Sequence, residues 1–381
     1  MRVAVIGVGR MGSRHADNFA KGAVPGAQLG AVCDIDPEVR AKAERKWRVN
    51  AYADFRDLID SGDAEAVVVA TPHYSHVEIC KYALEHGLHT LVEKPIAVTA
   101  KDAAELISAA DKHRDAIFAI MYNQRTNPLY AQAKRLVESG RLGKIIRADF
   151  TVTDWYRSQY YYDMNGWRAS WSGEGGGTLI NQCVHQLDLL QWILGMPKDV
   201  ACKCRTVGRN ITTENDVTAL FGYGDFDCSF RASTHELPGV NRLEIAGTKG
   251  LLTVTRGMLT AKLLRMDESE INARSRRDYG NKEDKKYRTV RKFYGIGNYL
   301  CDAFYGQQCR VLRAFVAAAE KRDPSLLVAR GEEGMGALSL INAMNMSAWT
   351  GEREIIPADA DAYAAALAEK IEQERAQSPK Q

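Results

Sequence analysis

The sequence predicts an α/β N-terminal domain with a parallel, doubly wound sheet, followed by an α+β C-terminal domain with an open, largely antiparallel sheet. Two observations predict the first domain: a glycine-rich turn directly after an opening apolar run, and strand-like runs that alternate with helical patterns up to residue 121. Strand-like runs with short connections after residue 145 predict the second sheet. A chain of 381 residues is long enough for two domains.

The composition argues against several classes of protein. A formal net charge of +3 is too small to predict nucleic-acid binding, and no apolar run approaches the roughly 18 residues of a membrane span. The eight cysteines are scattered without a CxxC pair, so we expect neither a disulfide framework nor a metal site. Strand-like sequence at the start predicts no signal peptide, and reduced cysteines predict a cytoplasmic protein.

A glycine-rich turn follows the first predicted strand. The strand covers residues 2–6, a helix is predicted at 12–20, and GVGRMG lies at 7–12. This is GxGxxG in the strand–turn–helix setting of a Rossmann domain, where the glycines allow a tight turn, approach of a pyrophosphate and close helix packing. Free N–H groups at the helix N-terminus would bind the phosphates. The residues predicted to contact the cofactor here are Gly7, Gly9, Arg10, Met11 and Gly12.

A carboxylate follows the second predicted strand, residues 29–33. Asp34 lies about 20 residues after the glycines, where a ribose-binding carboxylate is expected, with Ile35 beside it. It would accept hydrogen bonds from both adenosine ribose hydroxyls and repel a 2′-phosphate, so the sequence favours NAD over NADP. Arg40 keeps NADP as an alternative. The other interpretation is that Asp34 only starts a turn and caps the next helix.

Strands and helices then alternate with short links, which predicts a parallel sheet with ligands beyond the carboxyl ends of its strands. Strands are predicted at 66–70, 90–92 and 116–121, and helices at 37–47, 73–86 and 99–113. Three segments occupy the strand ends: Thr71-Pro72-His73, Glu93-Lys94-Pro95 and Tyr122-Asn123-Gln124-Arg125.

A second glycine run, GGG at 175–177, leads into a helical pattern that extends to residue 194. At 100° per residue, Asn181, His185 and Asp188 share one face, with Thr178 and Gln182 beside them. This face has no Lys, Arg or Glu, which a solvated helix face usually carries, so we expect it to point at a polar ligand. The glycines would let a ligand or another backbone come close. The alternative is a buried helix with satisfied polar contacts.

Together these motifs resemble the glucose–fructose oxidoreductase/inositol dehydrogenase (Gfo/Idh/MocA) family. They are GxGxxG, Asp34, Ala70-Thr71-Pro72 with His76, Glu93-Lys94-Pro95, and GGG-x-L-x₅-H-x-x-D-L, and the resemblance continues through 330–334 and 355–357. It implies a nicotinamide-dependent dehydrogenase or reductase acting on sugars, cyclitols or their derivatives. It also implies a cofactor site that includes Thr71, Pro72, His76, Glu93, Lys94, Asn123, Trp167 and Arg168.

Oxidising a secondary alcohol requires a hydride acceptor, which is the cofactor, and a group that takes the hydroxyl proton. Lys94 and His185 are the candidate catalytic residues. In the family an Asp four residues before the His acts with them, and here that position is Asn181. An amide can bond a hydroxyl but cannot carry the proton, so proton transfer would rest on Lys94 and His185. Asp188 is better interpreted as a structural acceptor.

The second domain is predicted to contain a helix at 128–139 and strands at 145–152, 200–207, 216–221, 227–232, 243–246 and 251–255. The resemblance implies that its open sheet is used for oligomerisation, as a homodimer or homotetramer. The charged stretch 265–292 is predicted to be a solvated hairpin or loop extension rather than a nucleic-acid patch, because acidic residues interrupt the basic ones. We expect domains at 1–125 and 126–357, and a C-terminal helix and tail at 358–381, with the helix able to pack back on the first domain.

Aromatic and basic residues between 155 and 171 suit a sugar, because rings cover C–H faces while Arg and Tyr bond hydroxyls. The alternative is packing or a subunit interface. The residues predicted to bind the substrate, a sugar, glycoside or polyol, are Lys94, Arg157, Tyr161, Trp167, Asn181, Gln182 and His185.

The segments from Tyr156 to Gln182 resemble the branch of the family that contains levoglucosan dehydrogenase and glycoside 3-dehydrogenases. That resemblance implies oxidation of the C3 hydroxyl of a pyranose ring, with glucosides or anhydrosugars preferred to myo-inositol; the neutral amide at Asn181 also suits an uncharged substrate. The alternatives are an inositol or cyclitol dehydrogenase, an NAD-dependent glycosidase that works by redox elimination, and a non-catalytic dinucleotide-sensing protein.

Overall fold

The computed structural model describes residues 1–164 and 166–377. Its strands are β1 (Arg2–Ile6), β2 (Gln28–Cys33), β3 (Asn50–Tyr52), β4 (Ala66–Val69), β5 (His89–Val92), β6 (Phe118–Ile120), β7 (Ile145–Val152), β8 (Asp199–Arg205), β9 (Asp216–Gly222), β10 (Asp227–Ser233), β11 (Asn241–Gly247), β12 (Gly250–Thr255), β13 (Met258–Leu264), β14 (Tyr287–Phe293) and β15 (Glu354–Ile355). Its α-helices are α1 (Arg10–Ala20), α2 (Pro37–Trp47), α3 (Phe55–Asp60), α4 (His76–Glu85), α5 (Ala100–Lys112), α6 (Pro128–Glu138), α7 (Gln159–Asp163), α8 (Thr178–Asn181), α9 (Val184–Leu194), α10 (Glu268–Arg274), α11 (Ile296–Phe304), α12 (Gln308–Lys321), α13 (Gly334–Thr350) and α14 (Ala360–Gln377). Within the described residues, no helix is both long enough and apolar enough to cross a bilayer.

The chain forms two compact units. The first comprises Met1–Thr126, Ser172–Gly175 and Tyr299–Leu338, and the second comprises Asn127–Trp171, Gly176–Asn298 and Ser339–Gln381. The sequence prediction instead assigned 126–357 to the second domain without interruption. The difference arises because α12 supplies apolar side chains to the core of the first unit. Within the second unit, Tyr363 of α14 stacks on Trp349 of α13.

The first unit is built on a six-stranded parallel sheet in the order β3-β2-β1-β4-β5-β6, as the sequence predicted. The sequence of β4 is AVVV and all four residues are buried, as is typical of a parallel strand covered on both faces. The chain order reverses at the β1–β4 pair, which is the point where ligands bind in such sheets. The carboxyl ends of β1, β4 and β5 therefore carry the candidate residues.

Helix α12, which the sequence analysis did not identify, covers part of the first unit's core. Its Leu312, Phe315 and Val316 are almost completely buried, in one cluster with Phe19 and Val24 from the region of α1. The sequence analysis also did not identify β3 and α3. The strands that it predicted in this unit are all present, with ends shifted by a few residues.

The second unit is built on a nine-stranded sheet in the order β14-β13-β12-β11-β7-β10-β9-β8-β15. The β7–β10 pair is parallel and the other pairs are antiparallel, which confirms the predicted sheet type. Buried and exposed residues alternate along β9 and β10, so one face packs inward while the other stays open. The charged stretch 265–292 contains α10 and most of β14, and β14 pairs with the unpredicted strand β13.

Candidate active site

The glycine turn of the first unit has two crowded glycines and one open glycine. Gly7 has a φ of +85°, and a Cβ there would lie 2.8 Å from the carbonyl oxygen of Ala70. A Cβ on Gly12 would lie 1.8 Å from the carbonyl oxygen of Gly7. At Gly9 a Cβ would meet no protein atom within 4 Å. The first and third glycines are therefore required by the fold itself, while the second leaves the N-terminus of α1 accessible to an anion.

Asp34 is held at the end of β2 by two backbone N–H groups. Its Oδ2 accepts from Val8 at 2.9 Å and its Oδ1 from Asp36 at 3.0 Å. The cap of α2 is Asp36, whose Oδ1 accepts from the N–H of Glu38 at 2.8 Å. The alternative in which Asp34 caps the helix is therefore wrong. Asp34 instead joins the glycine turn to the end of β2.

Arg40 does not contact the Asp34 carboxylate. Its Nη1 donates to the carbonyl oxygens of Asp34 and Ile35, at 2.8 Å each. These two hydrogen bonds hold Nη1 of Arg40 at the backbone of the turn after β2. Ile35, the next residue, is 89% exposed and is therefore accessible to a ligand bound at Asp34.

His76, predicted to contact the cofactor, is completely buried. Its Nδ1 lies 2.8 Å from the carbonyl oxygen of Pro95 and its Nε2 lies 2.9 Å from that of Thr71. Burial lowers the pKa of the ring, although both carbonyls favour the protonated form. His76 therefore connects the loops after β4 and β5, and its contact with the cofactor stays a prediction.

Glu93 has a buried partner that the sequence analysis missed. Its Oε1 lies 2.8 Å from Nε2 of His15, a fully buried residue of α1, and its Oε2 accepts from the N–H of Lys94 at 3.2 Å. The pair links the helix that follows the glycine turn to the loop that carries Lys94. Lys94 itself is half-buried. A histidine on the buried face of α1 was the available signal, because a buried imidazole needs a hydrogen-bond partner.

The segment after β6 is fixed by residues 330–334. Arg125, whose side chain is 2% exposed, forms an ion pair with Glu333. A Cβ on Gly331 would lie 2.1 Å from the ring of Phe118, so this glycine lets the segment lie against β6. Asn123, predicted to contact the cofactor, is buried and donates to Oε1 of Gln307 at 3.2 Å.

In the second unit, the helix predicted at 175–194 is interrupted. Helix α8 ends at Asn181 and α9 begins at Val184. Between them, the N–H of Cys183 donates to the carbonyl oxygen of Thr178 at 2.8 Å, a five-residue step typical of a π-bulge. The regular 100° count therefore does not relate Asn181 to His185, and the predicted single face is corrected to two short helical segments.

The three glycines serve protein packing. In the second unit, a Cβ on Gly177 would lie 2.2 Å from the carbonyl oxygen of Glu214. The carboxylate of Glu214 accepts from the N–H groups of Gly177 and Leu179, at 3.2 and 2.8 Å. In the first unit, a Cβ on Gly175 would lie 2.4 Å from Cγ1 of Val98. At both positions, the absence of a Cβ therefore lets another part of the chain pack closely against the glycine.

The polar residues of α8 and α9 are largely buried. His185 is 9% exposed, Gln182 is 7% exposed, and Asn181 is half-buried. Asp188 is completely buried and its Oδ1 accepts from Nε2 of Gln191 at 3.0 Å. This contact agrees with the interpretation of Asp188 as a structural acceptor.

Four of the predicted substrate residues and Arg168 come together in the second unit. Arg157 and Arg168 each lie 4.7 Å from the ring centroid of Tyr161, and Arg168 lies 4.7 Å from that of Trp167. The Tyr161 hydroxyl accepts from Nη1 of Arg168 at 2.6 Å and from Nε2 of Gln182 at 3.3 Å. We call these five residues the Tyr161 cluster. Among the described residues, no three His, Cys, Asp or Glu side chains are grouped as a metal ion would need.

Comparison with known proteins adds an independent line of information. Residues 1–121 match the model of the Gfo/Idh/MocA oxidoreductase family, NAD-binding Rossmann fold, and residues 130–253 match the Gfo/Idh/MocA C-terminal domain. The chain is 30% identical over 207 residues to levoglucosan dehydrogenase of Pseudarthrobacter phenanthrenivorans, covering 51% of each chain. It is 28% identical over 202 residues to inositol 2-dehydrogenase of Salmonella typhimurium, covering 51% of this chain and 54% of that one. The chain therefore spans about half the length of these two relatives.

A longer match is to scyllo-inositol 2-dehydrogenase (NAD⁺) of Bacillus subtilis, 30% identical over 269 residues, covering 67% of this chain and 73% of the relative. Among solved structures, WlbA dehydrogenase of Bordetella pertussis, in complex with NADH and UDP-GlcNAcA, superposes with a TM-score of 0.77 at 25% identity, covering 94% of this chain and 98% of that chain. Levoglucosan dehydrogenase in complex with NADH has the same fold, with a TM-score of 0.73 at 22% identity, covering 94% of this chain and 100% of that chain.

The family models confirm the predicted cofactor, NAD, and the predicted fold class. One model matches the N-terminal part of the chain, before residue 126, and the other matches a part of the chain after it. The chain belongs to the Gfo/Idh/MocA oxidoreductase family.

Proposed function

We propose that this protein is an NAD-dependent oxidoreductase that oxidises a secondary hydroxyl of a pyranose sugar or glycoside to a ketone, with C3 favoured. The observation that carries the proposal is the Tyr161 cluster, in which two aromatic rings, two guanidinium groups and one amide are grouped. Rings that cover C–H faces and donors that bond hydroxyls are the features expected of a sugar site.

The first unit supplies the nucleotide half of the proposal. The open space above Gly9 and the exposed N-terminus of α1 suit a pyrophosphate, and the Asp34 carboxylate at the end of β2 suits the adenosine ribose. The remaining predicted contacts of this unit, Arg10, Met11, Thr71 and Pro72, belong to the same proposal. When bound, NAD⁺ supplies the hydride acceptor.

For the proton, we assign Lys94 and His185 as the catalytic residues. Removing the hydride from the carbinol carbon and the proton from its hydroxyl leaves a ketone, and the proton passes to one of these two side chains. Asn181 would bond a hydroxyl of the substrate without taking a proton, since an amide is not a base. The contact of Asp188 with Gln191 lies within α9 and supports a structural role for this carboxylate.

The comparisons favour one second candidate, a cyclitol dehydrogenase. The match to scyllo-inositol 2-dehydrogenase covers a larger share of the chain than the match to levoglucosan dehydrogenase, at the same identity. The WlbA dehydrogenase crystallised with UDP-GlcNAcA points instead to a pyranose derivative. An inositol has no ring oxygen and no anomeric substituent, so glycosides and inositols distinguish the two candidates directly.

The test is a turnover screen of the purified protein with NAD⁺ or NADP⁺. The substrates are levoglucosan, methyl glucosides, free glucose, myo-inositol and scyllo-inositol, and the readout is NADH absorbance. We expect the pyranosides to react faster than the inositols, with NMR showing a 3-keto product and mass spectrometry a loss of two hydrogens. A preference for inositols, or a lactone formed at C1, would contradict the proposal. Release of an aglycone without net NADH would identify redox elimination, and tight NADH binding without turnover of any polyol, neutral or anionic, would favour a sensor.

We also propose that the protein is a cytoplasmic homo-oligomer, a dimer or tetramer formed through the open face of the nine-stranded sheet. Its eight cysteines are free thiols, which suits a reducing compartment. The open face carries the partly exposed Leu220 on β9 beside exposed polar residues. Light scattering of the purified protein measures the mass; a monomer at micromolar concentration would contradict the assembly.

A further inference from the structure

The Tyr161 cluster contains two cations held close together. Each guanidinium carbon, of Arg157 and of Arg168, lies 4.7 Å from the ring centroid of Tyr161, so the two charges lie within twice that distance of each other. Both residues are half-buried. Like charges repel more strongly where water is partly excluded, so a negative charge bound near both arginines would be favourable.

The chain satisfies only part of the donor capacity of these arginines. Nη1 of Arg157 donates to the carbonyl oxygen of Tyr156 at 3.2 Å, and Nη1 of Arg168 donates to the hydroxyl of Tyr161 at 2.6 Å. Both acceptors are uncharged. The Nε atoms of both arginines are buried and, within the described residues, have no hydrogen-bond partner. A guanidinium has five N–H donors, and leaving buried ones unsatisfied costs free energy.

The acidic side chains nearest in sequence are engaged elsewhere. Asp163 accepts from Nε2 of Gln159 at 2.8 Å, and Asp154 accepts from Nδ2 of Asn241 at 3.3 Å. A third arginine adds to the positive charge: Nε of Arg209 donates to the carbonyl oxygen of Arg157 at 2.8 Å. Within residues 1–164 and 166–377, the structure gives none of the three arginines an ion pair with a carboxylate.

We propose that the substrate is an anionic pyranoside whose carboxylate or phosphate binds Arg157 and Arg168. The inference rests on the proposed function, narrows its substrate class and replaces the expectation of an uncharged substrate that was based on Asn181. A guanidinium presents parallel N–H donors that match a carboxylate or phosphate, so one anionic group bound to the terminal nitrogens of these arginines would offset the repulsion between them.

The test measures binding by calorimetry on the full-length protein loaded with NADH. Two matched pairs isolate the charge: methyl glucuronide against methyl glucoside, and glucose 6-phosphate against glucose. We expect at least one anionic member to bind about 10-fold or more tightly than its neutral partner. Arg157→Gln should remove most of this preference, and Arg157→Lys should retain part of it. Arg256→Gln, the same charge change at an exposed turn, should leave it intact.

The two ligand pairs separate a uronate from a sugar phosphate, and either preference supports the inference. Equal dissociation constants within both pairs, or no measurable binding of any of the four ligands, would overturn it. This comparison uses the unmodified protein, so it does not depend on how a variant folds. If neutral glycosides are oxidised and no anion is preferred, the proposed function is supported and the inference of an anionic substrate is rejected. If an anion is preferred but no NADH forms from NAD⁺, the inference about binding is supported and the proposed oxidoreductase activity is rejected.

Discussion

His15 Nε2 lies 2.8 Å from Glu93 Oε1, and the contact joins α1 to the loop that carries Lys94. Both residues are buried, and Glu93 also accepts from the N–H of Lys94. The glycine turn that would bind phosphates and the lysine that we assign to proton transfer are therefore connected through one hydrogen bond. His15 and Glu93 can therefore affect the reaction without touching the substrate.

Removing either member of this pair should destabilise the first unit. We expect Glu93→Ala to lower the free energy of unfolding by about 1–3 kcal/mol, because it leaves a buried imidazole nitrogen without its acceptor. His15→Ala should have a similar effect, and the double variant should cost less than the sum, as expected of contacting residues. Urea denaturation measures all three, with the exposed Glu85→Ala as the control. Additive effects would show that the two residues are not coupled.

Asp34 should determine the preference for NAD. Asp34→Ala removes the carboxylate that a 2′-phosphate would meet, so we expect the ratio of NADP to NAD dissociation constants to fall toward one. Fluorescence titration measures both constants. Asp36→Ala is a matched control, because it removes the cap of α2 at a cost of about 1 kcal/mol in stability while leaving the ratio unchanged. Equal affinity for both cofactors in the unmodified protein would rule out this role.

Lys94→Ala should lower kcat by roughly 10²- to 10⁴-fold, the usual contribution of a general acid–base group, with little change in NADH affinity. His185→Ala is expected to behave in the same way. Lys112→Ala, at the exposed end of α5, controls for the loss of a positive charge. Steady-state kinetics and NADH titration separate the two effects. Near-complete turnover by Lys94→Ala at neutral pH would remove this lysine from the mechanism.

Asp216 should make stability depend on pH in the acid range. Burial acts to raise the pKa of its carboxyl, but hydrogen bonds from His235 and Arg205 outweigh burial and hold the pKa below its ordinary value. The folded state therefore gains stability above the unfolded pKa of about 3.9, and this gain is lost as the pH falls through the lower folded value. Asp216→Asn should cost about 1 kcal/mol at neutral pH and much less at an acid pH below the folded pKa, as measured by urea denaturation.

The exposed Asp227→Asn makes the same chemical change without these partners and should alter stability by less than about 0.5 kcal/mol at either pH. A destabilisation by Asp216→Asn that does not change with pH would show that the carboxyl charge is not its origin.

The parallel sheet was predictable because its strands are continuous apolar runs such as AVVV. The glycine turn was predictable because the steric contacts that require Gly7 and Gly12 act within a few residues or between adjacent strands. Helix α12 was not. Its amphipathic pattern indicates an apolar face but does not say that the face packs beside α1, almost 300 residues earlier in the chain. The buried partner of His15 lies 78 residues away for the same reason.

For the candidate site, the residue types of the Tyr161 cluster were predictable, because Arg157, Tyr161, Trp167 and Gln182 belong to one aromatic and polar segment of the sequence. Their mutual contacts were not, since side-chain stacking depends on tertiary structure. The count of 100° per residue failed at Cys183, because one five-residue hydrogen bond breaks the regular helix and nothing in the residue types there signals a bulge.

The first unit is discontinuous, and this has a consequence for how the protein is made. Phe315 and Leu312 of α12 fill its core, yet they leave the ribosome long after the glycine turn and all six strands of its sheet. Until then, the part of the apolar core that α12 covers stays exposed, a state prone to aggregation and to capture by chaperones. A fragment that ends at residue 126 would remain in that state. We therefore expect that the NAD-binding half cannot be excised as a stable module, since its core is completed only after most of the second unit has been synthesised.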